Sequence, residues 1–288
     1  MTQLLSTTAF AITMLFLLEG SCSRARVESL TEMNQGVVLA TQKQYVGAVE
    51  KLEAATALDP TNDQAYWNLA MVHMEMGSYG PARDDLEAAV RLAPERAGYR
   101  ERLGTVLMQL EEWDEAQRVL QEAIELDPSL FKGHFKLGQV YQRLDNPQEA
   151  LRSFTAAITN GPRFIPAYRA LGSLYAELGY DDEAVQVLRS GLEVVIEGTE
   201  DEAQLHHALG TVYQQQERLD DAIASYRAAL DITAELPNTL FALGWTYSQT
   251  GNREEARRYL QRFIQSPGES PAYYISAART RLEALTGP

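Results

Sequence analysis

One spacing governs this chain. A small residue returns at Gly36, Ala70, Gly104, Gly138 and Gly172, each time after 34 residues, and then, after a single step of 38, at Gly210 and Gly244. A second set keeps the same step at Ala48, Ala82, Ala116, Ala150, Ala184, Ala222 and Ala256. Pro60, Pro94, Pro128 and Pro162 close four of the copies at one phase. Inside a copy such as residues 131–164, apolar side chains fall at helical spacing in two stretches, Leu137, Gly138 and Tyr141, then Ala150, Phe154 and Ala157. Asp145-Asn146-Pro147 breaks the helix between them, and Asn160-Gly161-Pro162 marks the end, because Gly can take the left-handed cap and Pro cannot continue a helix. Each copy therefore reads as two amphipathic helices folded back on one another, with backbones close where the residues are small. A hairpin of this size cannot bury its apolar face alone, so it has to stack on its neighbours.

The pattern Leu-Gly-x-x-Tyr, a central Ala, a large apolar residue four further on, Ala after three more and a closing Pro resembles the tetratricopeptide repeat. The resemblance covers residues 29–268 and implies an all-α fold, a right-handed superhelical solenoid of seven helix-turn-helix units with a C-terminal capping helix. The expected units are 29–62, 63–96, 97–130, 131–164, 165–202 with a four-residue insertion, 203–236 and 237–268. Residues 269–288 supply the capping helix and tail, where Arg281 stands in the place of the Tyr or Leu that would pack a further hairpin. The acidic insertion at 197–202 is expected to lengthen a loop.

With 45% hydrophobic residues spread at a fixed period, the 288-residue chain favours one elongated array over separate globular domains. A formal net charge of −15 argues against a sequence-independent grip on nucleic acid or on an anionic membrane surface. The N-terminus differs from everything after it. The run LLSTTAFAITMLFLL at 4–18 is uncharged and suits the apolar region of a secretory signal better than a membrane span, which needs about 20 residues. Cys22, the single cysteine, follows directly after Gly20-Ser21, so residues 1–21 resemble a bacterial lipoprotein signal, with 22–28 as a tether. That implies lipidation at Cys22 and a membrane-anchored place in the cell envelope. An uncleaved anchor, a soluble secreted or periplasmic protein and an incidental thiol are the other readings, and a single cysteine allows no intramolecular disulfide.

Nothing points to catalysis. The sequence has no Gly-rich phosphate loop, no HExxH pair and no zinc-type cysteine spacing, so no catalytic residue, metal or cofactor is expected. His73, His134 and His206 take places filled elsewhere by Tyr or Leu and read as structural. The family resemblance implies that first helices line a concave face. Carried over, it presents Met33, Asn34, Val37, Trp67, Asn68, Met71 and Met74 as an apolar N-terminal stretch. Arg102, Lys132, Phe135, Lys136, Arg143 and Arg169 form a basic centre, against Glu101 and Glu177. His207, Thr211, Phe241 and Trp245 lie toward the C-terminus, with Ala170, Ala208 and Ala242 leaving room for a ligand. The function implied is a protein–protein interaction scaffold that takes an extended peptide or a partner's helix in this groove, assisting assembly of an envelope complex. The alternative is a co-chaperone-like receptor for acidic C-terminal peptides. Of that receptor's Lys, Asn, Asn, Lys and Arg, this chain supplies only Asn68 and Arg102, with Met33, Val37 and Gly98 at the other places.

Overall fold

The computed structural model of the chain describes residues 24–265 and 270–286, and every regular element among them is helical. The leader and Cys22 lie outside the described residues. The chain divides into two compact units, Met1–Asp145 and Asn146–Pro288. The first contains α1 (24–41), α2 (Tyr45–Leu58), α3 (Asp63–Glu75), α4 (Tyr79–Leu92), α5 (Ala97–Gln109), α6 (Trp113–Leu126) and α7 (Phe131–Arg143). The second contains α8 (Pro147–Asn160), α9 (Ile165–Glu177), α10 (Asp181–Val194), α11 (Glu200–Gln215), α12 (Leu219–Ile232), α13 (Pro237–Gln249), α14 (Arg253–Gln265) and α15 (Ala272–Thr286). Both units are stacks of antiparallel helical hairpins, the all-α solenoid architecture that the 34-residue step implies.

Three recurring contacts explain why the step is kept. The first joins the helices of a hairpin. A Cβ added to Gly36, Gly104, Gly172 or Gly244 would stand 2.5–2.8 Å from the Cγ of Leu52, Leu120, Leu188 or Leu260, and one added to Gly210 would stand 2.7 Å from the Tyr226 ring. The glycine lets the two backbones close on the large residue sixteen places on, and these five large residues are fully buried. Burying a leucine in this way contributes about 1.5–3 kcal/mol.

The second contact is the turn. The fifteenth residue of the repeat has positive φ in both units: Gly77, Gly179 and Gly251 at 71–78°, and Lys43, Glu111, Asp145 and Glu217 at 54–61°. The amide after it donates to a carbonyl five residues back, as in Ser78 to His73 at 2.8 Å and Arg218 to Tyr213 at 2.9 Å, which caps the first helix. The third contact stacks hairpin on hairpin. The tenth residue of the repeat is buried at Val72, Val106, Val140, Leu174, Val212 and Thr246, and only Val38, which has no hairpin before it among the described residues, is 53% exposed. A polar tie reinforces the stack: the fourth residue reaches back to the carbonyl of the preceding closing proline, from Arg100 to Pro94, His134 to Pro128 and Tyr168 to Pro162.

The insertion departs from expectation. Instead of lengthening a loop, three of its four residues join α11, which runs 16 residues where the other first helices of described hairpins α3, α5, α7, α9 and α13 run 13. Thr199 caps it, its side chain accepting from the Glu202 amide at 3.5 Å, while the Glu202 carboxylate accepts from the Gly198 amide at 2.6 Å. Glu200, Asp201 and Glu202 then sit in the first turn, where the helix dipole favours acid. At the far end of the second unit, Arg281 of α15 bonds the Ser248 hydroxyl at 2.7 Å and lies 5.3 Å from the Trp245 ring centroid.

Candidate binding face

In the first unit the fifth residue of the repeat does not stand free in a groove at Met33, Trp67 or Glu101. It leans on the next first helix. Met33 is buried in the core with Leu52, Ala65 and Leu69, and its sulfur is 3.9 Å from the Asn62 amide nitrogen. It is therefore a stacking residue and leaves the list of groove residues: an unbranched thioether at this place lies down against α3. Trp67 follows the same rule, stacked on Tyr99 of α5 with centroids 4.7 Å apart. Tyr99 is held in turn by its hydroxyl, which donates to Asp63 at 2.8 Å.

What remains of the apolar stretch is a pocket of about 290 Å³ between the ends of α1 and α3, walled by Val37, Tyr45, Leu52, Asn68, Met71 and Val72. Asn34 is exposed, and Met74 is half-buried. Further along, Glu101 is buried and meets the Lys136 ammonium at 3.4 Å. Burial lowers the Lys136 pKa, and Glu101 pulls it back up. Arg102 and Lys132 stand near Lys136 and add positive charge that also lowers its pKa. Arg102 Nε is buried with no hydrogen-bond partner among the described residues. Lys132 is exposed, its ammonium 6.0 Å from the Phe131 ring, and Phe135 is half-buried. Arg143 lies apart, its guanidinium 5.4 Å from the Trp113 ring at the hairpin end.

In the second unit, α9, α11 and the start of α13 enclose a pocket of about 560 Å³. Arg169, Ser173 and Glu177 follow one another at four-residue steps along the α9 wall. The facing wall on α11 carries Gln204, His207, Thr211 and Gln215, with Ala208 leaving space between them. Asn238 and Thr239 close the end where α13 begins. His207 Nδ1 is 3.0 Å from the Thr239 hydroxyl, and burial together with the charge of Arg169 takes its pKa down to about 4, so the ring is neutral at pH 7. His206 instead faces Glu202 at 4.0 Å.

Phe241 and Trp245 are half-buried in the last hairpin rather than free. Phe241 packs edge-on to Phe263 and Tyr274 at 5.3 and 4.9 Å, and Trp245 lies between Phe241 and Arg281. Ser173, Gln204, Gln215 and Asn238 were legible as pocket residues, since they occupy the same second, ninth and thirteenth places used for the first unit. Thr239 was not, because the third place is a core place in the five hairpins before it, at Ala65, Tyr99, Gly133, Ala167 and Leu205, and Thr239 is itself buried. Among the described residues, no group of three or more His, Cys, Asp or Glu is placed to hold a metal ion, and no helix is long and apolar enough to cross a membrane.

Family models for tetratricopeptide repeats match residues 36–77, 63–96, 104–145, 135–201 and 201–265. No curated protein sequence matches the chain. Among solved structures, MamA is 28% identical, with 58% of this chain and 91% of MamA covered at a TM-score of 0.54. YrrB, described as a protein of this kind with an unusual peptide-binding site, is 21% identical over 68% of this chain and 97% of its own, at 0.51. A tetratricopeptide repeat protein from Parabacteroides merdae is 14% identical but superposes over 90% of this chain and 99% of its own, at 0.65. The last two show the fold alone.

Proposed function

Because the chain belongs to the tetratricopeptide repeat family, whose members are generally non-catalytic protein-interaction scaffolds, we propose that its first-helix face holds an extended peptide or partner helix of acidic character. The observation that carries this reading is the cationic cluster of the first unit. Arg102 and Lys132 stand near Lys136, which pairs with the buried carboxylate of Glu101, and one guanidinium nitrogen of Arg102 has no acceptor among the described residues. A buried donor with no partner is costly, and a ligand carboxylate would satisfy it with a charge-assisted bond. In a chain of net charge −15 such a cluster is not general solvation. The receptor reading for acidic C-termini draws no support here, since Met33, one of its five places, is buried in the core.

The apolar leader and Cys22 support a second part of the proposal: the scaffold works tethered to a membrane of the cell envelope, where it assists assembly of an envelope complex. Two or three acyl chains on one cysteine, at about 0.8 kcal/mol per buried CH₂, hold a protein stably where a single chain does not. Cys22→Ala should therefore move the protein from the membrane to the soluble fraction, and retention in the membrane would favour an uncleaved anchor. For the groove, Lys132→Glu and Arg102→Gln spare the buried Glu101–Lys136 pair. Both should weaken capture of a membrane-derived partner and flatten its salt dependence. Unchanged capture by both would remove this face from consideration.

A further inference from the structure

We propose that the pocket of the second unit reads a pair of opposite charges: an extended stretch of polypeptide with one acidic and one basic side chain three to four residues apart, the acid at Arg169 and the base at Glu177. This deepens the proposed function and rests on the first-helix face being a peptide-binding surface.

The geometry is simple. Arg169 and Glu177 belong to the same wall, eight residues apart on α9, which places them about 12 Å from one another along the helix. Among the described residues they are the only full positive and full negative charges lining the pocket. Among the described residues, neither side chain makes an ion pair or a hydrogen bond, so both are available. His207 adds no third charge, being neutral at pH 7 and held by Thr239. An extended chain rises about 3.3 Å per residue, so a strand lying along α9 covers that distance in three to four residues.

The pocket is also long in the required direction. Its α11 wall runs from Gln204 to Gln215, eleven residues along the same axis, whereas α13 contributes only its beginning. Helix ends reinforce the two side chains. Pro237 is the first residue of α13, and Asn238 and Thr239 stand in its first turn, where backbone amides lack helical acceptors and the dipole favours an anion. Glu177 and Gln215 are the last residues of α9 and α11, where the same dipoles favour a cation. The polar side chains between, Ser173 and Thr211, can bond a peptide backbone without selecting among side chains. The pocket thus carries a positive end and a negative end about 12 Å apart, and a ligand with only one kind of charge would leave one end repelled or unmet.

A display library of random ten-residue peptides, selected against the full chain in detergent, tests this directly. The wild-type protein should enrich peptides with an acid and a base three or four positions apart. Arg169→Glu turns the pocket wholly acidic and should enrich two bases at that spacing, and Glu177→Arg should enrich two acids. Affinity for the mixed pair should fall about tenfold in each variant. The same charge pattern from all three proteins would overturn the proposal, as would loss of all binding in both variants without a change of class, the mark of purely structural residues. If no peptide is enriched even by the wild type, the peptide-binding reading fails, and the charge-pair reading fails with it.

Discussion

The eleventh and twenty-third places of the repeat meet across a hairpin, and two hairpins, α3–α4 of the first unit and α13–α14 of the second, fill them in opposite ways. In the first of these hairpins they hold His73 and Asp85, with Nδ1 and the carboxylate 2.7 Å apart. In the second they hold Tyr247 and Tyr259, rings stacked at 5.8 Å with 13° between their planes. The backbone does not register the difference, so the hairpin requires only that the two side chains touch. The chemistry does register it. Burial raises the Asp85 carboxyl to about 6, against the pull of His73, so the folded first unit keeps a proton there that the unfolded chain releases near 3.8.

The largest effect should come from testing whether contact is what matters, using the tenth place, where the chain offers its own control. Val106→Lys puts a charge at a fully buried stacking position and should cost about 3–5 kcal/mol, whereas Val38→Lys, at the exposed start of the array, should stay within about 0.5 kcal/mol. Urea denaturation of both variants decides it, and equal losses would mean that the first hairpin is covered after all.

A smaller effect separates the two fillings directly. Exchanging the pair for the residues of the next hairpin, Leu107 and Val119, gives His73→Leu with Asp85→Val, which should stabilise the protein by about 1–4 kcal/mol at neutral pH, since a half-buried carboxylate and its polar partner rarely repay their desolvation. The sign with pH follows from the raised carboxyl. The wild type binds more protons folded than unfolded between about 4 and 6, so this site's contribution to stability is greatest below that window and declines as pH rises through it. The double variant should lose that decline. Melting curves from pH 3.5 to 7 that run parallel for both proteins would contradict the assignment.

The alternation of fold and turn was legible in the sequence because it depends on one residue at a time. A glycine opposite a large apolar side chain, or a helix stop before the fifteenth place, leaves its mark wherever it occurs. Contacts between hairpins were less legible. Met33 and Trp67 share a place with His207, and nothing local says that the first is buried, the second stacked and the third turned into a pocket. Each outcome is set by the third residue of the following hairpin, which is Ala65, Tyr99 or Thr239. Arg281 misled in the same way. As a polar substitute it reads as a residue that stops stacking, yet it fastens α15 to Trp245 and Ser248. The extension of α11 depended on Thr199 being a better helix start than the inserted acids were loop formers.

The smallest effect concerns the turns. Glu217 and Gly251 occupy the same left-handed place in successive hairpins of the second unit, at φ 58° and 78°. Glu217→Gly should gain about 1 kcal/mol or less, and Gly251→Ala should lose a similar amount. Thermal melts that shift in the same direction for both would show that something other than backbone strain sets the residue there.

The reach of the fourth residue back to the preceding proline carbonyl gives the array a direction in time. Each acceptor, at Pro94, Pro128 or Pro162, is six residues older than the side chain that will use it. A hairpin leaving the ribosome therefore meets this docking point already made. Such a protein can be assembled one hairpin at a time from its N-terminus, each step locking against finished structure.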